Sequence, residues 1–493
     1  MGNSGKITIF LCLLLSSMLL LGLSAVRIID KYMAKSKISM SARTTVSGIM
    51  AEYNSYIYEH YHILLFDKTF GGKGEGYLEE CMLETMQGNL GSDYQVEDVM
   101  IQDCIMLTEQ DCAPLKNQIV DYMGYAMVEY GAEQILAATG GKDGTLSEEL
   151  EQDLEESENQ STSVQPEQEV TDGGENETAE GEAVNIEELG SGEEIMQAES
   201  ETEDPRMYSG QLSGMGLLAV VIPEDMTFSD RVLTGRDRPS IQYGGLWNEM
   251  FTMNNEFNSY SDLKQDLQTR GTWKDALITG GTGIAYAADV FNCATDYTVN
   301  DTSVLHCELE YLVCGNESDV SNVKEAVNQI IAIRLPVNYA YLMSDPKKST
   351  QLTDLAMSLM FATGIPEPII KRLLAGAWAY VEAVAEIRNL MAGKRLSFTK
   401  NDSNWLTQLD NLGESMYIEC EDDEHGLAYK DYLLILLSLN MDKAYYRMLD
   451  IMQLNVREQD ASFSIMQAAV GISVDIRVSY DGDVYGLRES AAY

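Results

Sequence analysis

One pattern in the sequence would suit a divalent metal ion. Asp460, Ser462 and Ser464 match the pattern D-x-S-x-S. The carboxylate and hydroxyl oxygens of these residues could serve as ligands for a cation. Such a site needs a buried hydrophobic strand just before the aspartate, whereas residues 455–459 are polar and typical of a helix end. We therefore interpret the match as a coincidence of spelling.

Two further patterns lack a part that their chemistry requires. Ser344 and Lys347 have the S-x-x-K spacing, but Pro346 blocks the helical turn that would bring the lysine next to the serine. Residues 280–283 form a glycine-rich stretch without the lysine that reaches a phosphate group in a nucleotide-binding loop. We interpret residues 280–283 as a turn or a junction between helices.

Two groups of side chains resemble metal ligands by residue type alone. His60 and His62 have no further ligands nearby in the sequence, which favours aromatic packing beside Tyr58 and Tyr61. Residues 419–425 form a dense acidic loop that offers oxygen ligands to Ca²⁺. This loop lacks the spacing and the turn glycine of an EF-hand, which favours a solvated loop.

The remaining search for catalytic motifs is negative. The sequence contains no G-x-x-x-x-G-K-[ST], no G-x-G-x-x-G, no H-E-x-x-H and no G-x-S-x-G, and it has only 4 histidines. We therefore predict no catalytic, cofactor-binding or metal-binding residues and no enzyme activity. A site built from scattered carboxylates stays open, because paired Asp and Glu side chains can act as acid and base without a local motif.

The 8 cysteines do not decide the cellular compartment. Cys12 lies in an apolar run, and the others form no C-x-x-C pair. Two disulfides are conceivable if the body of the protein is exported. They would join Cys104 with Cys112 and Cys293 with Cys307.

The charge of the chain is strongly negative and unevenly distributed. The 493 residues include 79 acidic and 33 basic side chains, for a net charge of −46. This excess argues against binding to nucleic acid and against docking on anionic lipid through a basic patch. Residues 143–205 hold 23 of the acidic side chains and no Lys, Arg or aromatic residue, so we predict a disordered, extended linker there.

Residues 7–26 are an uncharged apolar run of 20 residues. As a helix this run is about 30 Å long, enough to cross a bilayer, and we predict an uncleaved transmembrane anchor over residues 1–30. Residues 432–439 are apolar but too short to cross a bilayer.

The positive-inside rule favours a cytoplasmic body, because Lys6 alone precedes the apolar run at residues 7–26 and five cations follow it. Those cations are Arg27, Lys31, Lys35, Lys37 and Arg43. Large domains can also translocate regardless of charge, so the residues alone leave the orientation open.

Residues 31–142 read as a juxtamembrane helical region with one short strand. The anchor helix should continue from residue 27 to about residue 65, either as a simple stalk or as a helix that packs against neighbouring subunits. Glycines at positions 71, 72 and 74 should end it. We expect further helices near residues 77–86 and 115–138, and a strand near residues 96–107.

Residues 206–493 read as an α+β domain in which antiparallel strands flank a helical block. We expect strands at residues 217–222 and 304–314 and a final strand at 470–480, which alternates most strictly. The second and third of these strands should pair with each other. The expected helices cover residues 320–342, 352–361, 366–391, 429–440 and 442–456.

Two stretches, which together cover about half of the chain, contain recognisable motifs. The first contains GKITIFL (5–11), MAEYN (50–54) and HILLFD (62–67). The second contains LEYLVCG (309–315), YLMSDP (341–346), AWAYVE (377–382), YKDYL (429–433) and MLDIMQLNVR (448–457). By these motifs the chain resembles an uncharacterised, domain-of-unknown-function family of membrane-anchored proteins from Gram-positive bacteria, whose members look like TadE/TadG-type pseudopilins of Tad/Flp pilus systems. Phe10 stands where type IV-like pilins carry a glutamate, five residues after the processing glycine.

These observations lead to three hypotheses. The resemblance implies a single-pass, non-enzymatic envelope protein whose body lies outside the membrane and which assists a Tad-like pilus or secretion system. Its partners would be the bilayer, through residues 7–26, and other membrane or pilus-assembly proteins. The alternatives are an anchored extracytoplasmic enzyme or ligand-binding protein with a carboxylate-based site, and a scaffold that faces the cytoplasm.

Overall fold

The computed structural model describes residues 3–139, 206, 216–224, 226–243, 273–297 and 302–493. The expected disordered linker at residues 143–205 lies outside these residues. The described residues up to 124 and from 206 onward form one compact unit. The described part of the chain is α+β, with an N-terminal apolar helix, a helical block and antiparallel strands, as predicted.

The first helix, α1 (Asn3–Met50), contains the apolar run and continues past it. The expectation of a helix up to about residue 65 is corrected, because the chain turns at Asn54 and a short helix, α2 (Ser55–Tyr61), follows. Asn54 has extended backbone angles, and its side-chain oxygen accepts a hydrogen bond from the Ile57 N–H at 3.0 Å. This N-cap satisfies an amide at the start of the new helix, which favours a break there over continuation.

One antiparallel sheet joins segments from both ends of the chain. Its strands are β1 (Phe66–Asp67), β2 (Gln95–Met106), β3 (Ala468–Tyr480) and β4 (Asp483–Ala492). The long strand β3 pairs with all three others. The strands expected near 96–107 and 470–480 are confirmed, and residues before and after the acidic segment therefore share one sheet.

The connection from β3 to β4 is a two-residue turn. Asp481 and Gly482 have φ angles of 49° and 80°, which is the left-handed backbone of a type I′ turn. This geometry matches the twist of the paired strands, so the last strand folds directly back on β3.

Two expected strands are helices instead. Residues 217–222 form α5 (Leu217–Val221), because a short apolar run fits a buried helix as well as a strand. Residues 304–314 contain a loop and α8 (Glu308–Cys314), so the expected pairing of this segment with the final strand is wrong. Glu308 and Glu310, which alternate with apolar residues in this segment, are both fully buried.

The remaining expected helices are confirmed, and three further helices, at residues 239–243, 273–290 and 412–415, were not predicted. Helix α3 (Glu75–Leu90) and helix α4 (Glu109–Thr139) precede the acidic segment, and α6 (Pro239–Tyr243) and α7 (Trp273–Val290) follow it. The helical block consists of α8, α9 (Asp319–Ser344), α10 (Pro346–Thr363), α11 (Glu367–Met391), α12 (Leu412–Ser415), α13 (Tyr429–Ser438) and α14 (Met441–Arg457).

Two clusters of buried apolar side chains hold the described unit together. The larger one fills the helical block and includes Trp378, which is almost completely buried. The smaller one lies between the apolar face of the sheet and the helices α1 and α3. The opposite face of the sheet carries charged pairs, such as Arg488 with Asp475 at 2.6 Å. The sheet is therefore covered by α1 and α3 along most of one face, while Ile105 and Val470, near its β1 end, belong to the larger cluster.

Candidate functional site

The second half of α1 packs on the sheet through a stripe of small and branched side chains. Ala34, Ile38, Ala42 and Val46 follow each other at intervals of four residues, and each is at most 2% exposed. This spacing places them on one face of the helix, and the alanines let the helix backbone approach the sheet closely. The stripe belongs to the same apolar cluster as Val474 of β3.

Polar contacts reinforce this packing close to the apolar run. Lys31 Nζ lies 2.5 Å from Asp483 Oδ2, and this hydrogen bond raises the pKa of the lysine. Lys37 Nζ donates to the Leu90 carbonyl oxygen at 2.8 Å. Arg43 Nε lies 3.2 Å from Glu489 Oε1. These pairs are exposed and individually weak, but they give the cations after the apolar run a structural role.

The first half of α1 is exposed along its length. Large apolar side chains from Ile9 onward are exposed, including Phe10 at 65% and Leu21 at 72%. Within the described residues, α1 is the one helix that is long and apolar enough to cross a membrane. A soluble monomer rarely exposes an apolar surface of this size, and the length and composition of this helix would allow it to span a membrane.

Helix α8 contributes two buried carboxylates to the helical block. Glu308 Oε2 accepts a hydrogen bond from the Asn292 N–H at 2.9 Å, and Glu310 Oε1 accepts one from the Ala294 N–H at 2.9 Å. Ser303 and Asn455 also hydrogen-bond Glu308. Burial raises the pKa of each glutamate to about 7, and these hydrogen bonds oppose the shift.

Two aspartates lie buried nearby but contact other groups. Asp450 accepts hydrogen bonds from the Ser240 N–H at 2.9 Å and from the Tyr311 hydroxyl at 2.8 Å, and burial raises its pKa to about 6. Asp319 Oδ2 accepts from the backbone N–H groups of Ser229 and His306, both at 3.0 Å. Each carboxylate thus orders a separate stretch of backbone, and no three potential ligands of this kind within the described residues could share a metal ion.

A second buried polar group links α9, α11 and the chain after α11. Arg334 forms a two-pronged ion pair with Glu386, with distances of 2.9 Å and 2.6 Å. Lys400 Nζ lies 2.6 Å from an oxygen of Glu386 and 2.6 Å from one of Glu382. Glu382 also accepts from the Thr407 N–H at 2.8 Å. The two cations and two carboxylates balance, which is how a charge cluster can exist in a core.

A surface cavity of about 550 Å³ lies between the segment before α6 and the end of α14. We call it the arginine cavity. Its walls are Arg231, Val232, Thr234, Arg236, Asp237, Arg457, Glu458 and Ala461. No motif in the sequence predicts this site. A signal existed in the arginines at 231, 236 and 238, which stand close together in a chain with few cations.

The histidines and the acidic loop have ordinary surroundings. His60 stacks on Tyr56 and His62 stacks on Tyr122, both with ring centres 4.2 Å apart, so the aromatic interpretation is confirmed. In the acidic loop, Asp422 forms an ion pair with the Arg395 guanidinium at 2.6 Å.

The two serine patterns and the glycine-rich stretch also have local structural roles. Asp460 accepts hydrogen bonds from the backbone and hydroxyl of Ser462 and so forms a turn. Ser344 ends α9, and Lys347 pairs with Asp402 at 3.3 Å. Residues 280–283 lie inside α7, so the expected turn there is wrong.

Neither of the two conceivable disulfides is formed in the structure. All 8 cysteines are free thiols in the structure, and Cys112, Cys293 and Cys307 are buried. Burial raises the pKa of the Cys293 thiol to about 11, which makes it unreactive at neutral pH.

The chain matches one family model. It is described as a family of unknown function (DUF5702) and matches residues 196–480, which is more than half of the chain. The match covers the helical block and β3, while α1, β2 and β4 lie outside it. No curated protein and no solved structure matches the chain. The expectation of an uncharacterised family is thereby confirmed: the chain belongs to the family of unknown function DUF5702.

Proposed function

We propose that this protein is a membrane-anchored, non-enzymatic envelope component. The observation that carries the proposal is the division of α1 into two halves. Its first half exposes apolar side chains such as Leu21, while its second half is buried on the sheet through residues such as Ile38 and Ala42. An apolar run in the bilayer would therefore hold the folded body directly at the membrane surface.

The body lies outside the membrane in this proposal, and the protein assists a Tad/Flp-like pilus or secretion system. The family resemblance described above supports this assignment. The positive-inside rule opposes it, but Lys31, Lys37 and Arg43 each hold α1 to the rest of the body. Those cations therefore have a reason to follow the apolar run that is independent of orientation.

A catalytic role has less support. The buried carboxylates Glu308, Glu310, Asp319 and Asp450 hydrogen-bond backbone and hydroxyl groups, and none of them lines the arginine cavity. A pair of carboxylates acting as acid and base must face a common space that a substrate can enter. Ordering of the backbone explains these residues without a reaction.

Membrane fractionation tests the anchor. The full chain should stay with the membranes after alkaline extraction. The double variant Leu14→Lys with Leu20→Lys should be released, since each charge at the centre of a span costs about 3 kcal/mol. The matched control is Val484→Lys, at an exposed position of β4, which should stay bound. Extraction of the unmodified chain would contradict the anchor.

Affinity capture of the unmodified chain from detergent-solubilised membranes should recover pilus-assembly proteins. Absence of such proteins would contradict the proposed role in a Tad/Flp-like system.

A further inference from the structure

We propose that the arginine cavity binds a small molecule that carries a phosphate group, with Arg236 and Arg457 as the groups that contact the phosphate. Both residues line the same cavity, although they are far apart in the sequence. The site is separate from the anchor helix and from the buried carboxylates.

Arg457 is held in place without being neutralised. Its Nε donates to the Phe463 carbonyl oxygen at 2.8 Å, and its Nη1 donates to the Arg236 carbonyl oxygen at 2.7 Å. Within the described residues, no carboxylate oxygen lies within 4.0 Å of the guanidinium of Arg457 or of Arg236. Neutral carbonyl groups orient Arg457 but leave its full charge available to a ligand.

The charges around the cavity are unbalanced toward the positive. The Arg231 guanidinium lies 3.5 Å from a carboxylate oxygen of Asp237 and 4.0 Å from one of Glu458. The other oxygen of Asp237 accepts hydrogen bonds from the N–H and the hydroxyl of Thr234, both at 2.8 Å. The three arginines and two carboxylates of the wall give it a net charge of +1, and within the described residues Arg236 and Arg457 form no ion pair of their own.

These two positive charges are close enough to repel each other. Burial lowers the pKa of Arg457, Asp237 opposes this shift, and Arg236 adds to it. Two like charges in one cavity are unfavourable unless a ligand of opposite charge joins them. A bound anion would remove this repulsion.

The guanidinium geometry and the size of the cavity favour a phosphate ester. A guanidinium presents parallel N–H groups that match two oxygens of a phosphate, and two guanidiniums match its double negative charge. A volume of about 550 Å³ exceeds what one phosphate ion fills and is typical of small-molecule sites. We therefore expect the phosphate to be attached to a larger body, with Val232 and Ala461 available for apolar contact.

Calorimetric titration of the full chain in detergent micelles tests the site, with phenyl phosphate, inorganic phosphate and benzoate as probes. Phenyl phosphate should bind most tightly, and Arg236→Gln should weaken it about tenfold, since a lost charged hydrogen bond has about this effect. Arg236 suits this test because its side chain is exposed and the fold does not depend on it. The matched control is Arg372→Gln, an exposed arginine on α11, which should leave the affinity unchanged within twofold.

Arg457→Lys provides a second, independent variant. It keeps the charge but removes the fork of N–H groups, so phenyl phosphate should again bind about tenfold more weakly. Circular dichroism verifies that each variant is folded. Absence of phenyl phosphate binding by the unmodified chain would overturn the proposal, as would equal effects of Arg236→Gln and Arg372→Gln. Benzoate binding as tight as phenyl phosphate would overturn the assignment of the ligand class.

Discussion

The carboxylate of Asp30 on α1 accepts a hydrogen bond from the hydroxyl of Tyr480 at the end of β3, with both carboxylate oxygens 3.3 Å from the hydroxyl. Asp30 lies four residues beyond the apolar run at 7–26, or about 6 Å along the helix. This hydrogen bond thus joins the sheet to α1 close to the end of the apolar run. In the proposed function, the body therefore sits against the membrane surface, and the expected juxtamembrane stalk is a packed helix of the body itself.

The first prediction concerns the face of α1 that contacts the sheet. Ala42 is fully buried in that contact, so Ala42→Glu should lower the free energy of unfolding by about 1–3 kcal/mol from overpacking alone, with a further cost for the buried charge. Urea unfolding in detergent micelles, followed by tyrosine fluorescence, measures the change.

The matched control for Ala42→Glu lies two residues earlier on the same helix. Met40 is 74% exposed, so Met40→Glu should change the free energy of unfolding by at most about 0.5 kcal/mol. Equal effects of the two substitutions would show that this half of α1 does not pack on the sheet.

The second prediction concerns the pH dependence that Glu310 causes. Its pKa is raised from 4.5 to about 7, so between these values the folded state holds a proton that the unfolded state has lost. Its contribution to stability is therefore complete below about pH 4.5 and is lost as the pH rises through 7. Glu308 should contribute in the same direction.

Glu310→Gln should remove this dependence while keeping an oxygen that accepts from the Ala294 N–H. We expect the free energy of unfolding of the variant, relative to the unmodified chain, to be higher at pH 8 than at pH 5 by roughly 1–3 kcal/mol. Chemical denaturation at both pH values measures the difference. Glu97→Gln, at an exposed position of β2, is the control and should show no such change. A constant difference between Glu310→Gln and the unmodified chain would contradict the raised pKa.

The third prediction concerns the buried charge cluster. Glu386→Gln should leave Arg334 and Lys400 with one carboxylate between them and cost about 3–5 kcal/mol of unfolding free energy. The double variant Arg334→Met with Glu386→Met should be more stable than Glu386→Gln, because Lys400 and Glu382 still form a pair. Denaturation of the two variants measures both effects. A double variant that is less stable than Glu386→Gln would contradict this account of the cluster.

Strands and helices could be predicted from the sequence where apolar residues on the buried face alternate regularly with polar residues on the exposed face. Strand β3 alternates strictly, and its apolar residues from Ile472 to Val478 belong to the same cluster as the buried face of α1. Strand β4 was not predicted, because its alternation is blurred by Gly486, Ser490 and two alanines. It forms because the turn at Asp481 and Gly482 delivers it to the free edge of β3.

The failure at α8 has a specific physical cause. The alternation of Glu308 and Glu310 with apolar residues is typical of a strand with one polar face, because charged side chains are rarely buried. Their carboxylates instead accept hydrogen bonds from the backbone near residues 292 and 294, which comes from a different part of the chain. The arginine cavity was missed for the same reason, because Arg236 and Arg457 meet only after folding. Local patterns do not contain such contacts between distant segments.

The most direct test of the proposed function is the side of the membrane on which the body lies. Intact cells stripped of their wall can be treated with a glutamate-specific protease, for which residues 143–205 offer many acidic sites in a segment that the sequence predicts to be disordered. The account predicts cleavage of this protein while a cytoplasmic marker stays intact. Protection of the chain until the cells are lysed would contradict it and would support the scaffold that faces the cytoplasm.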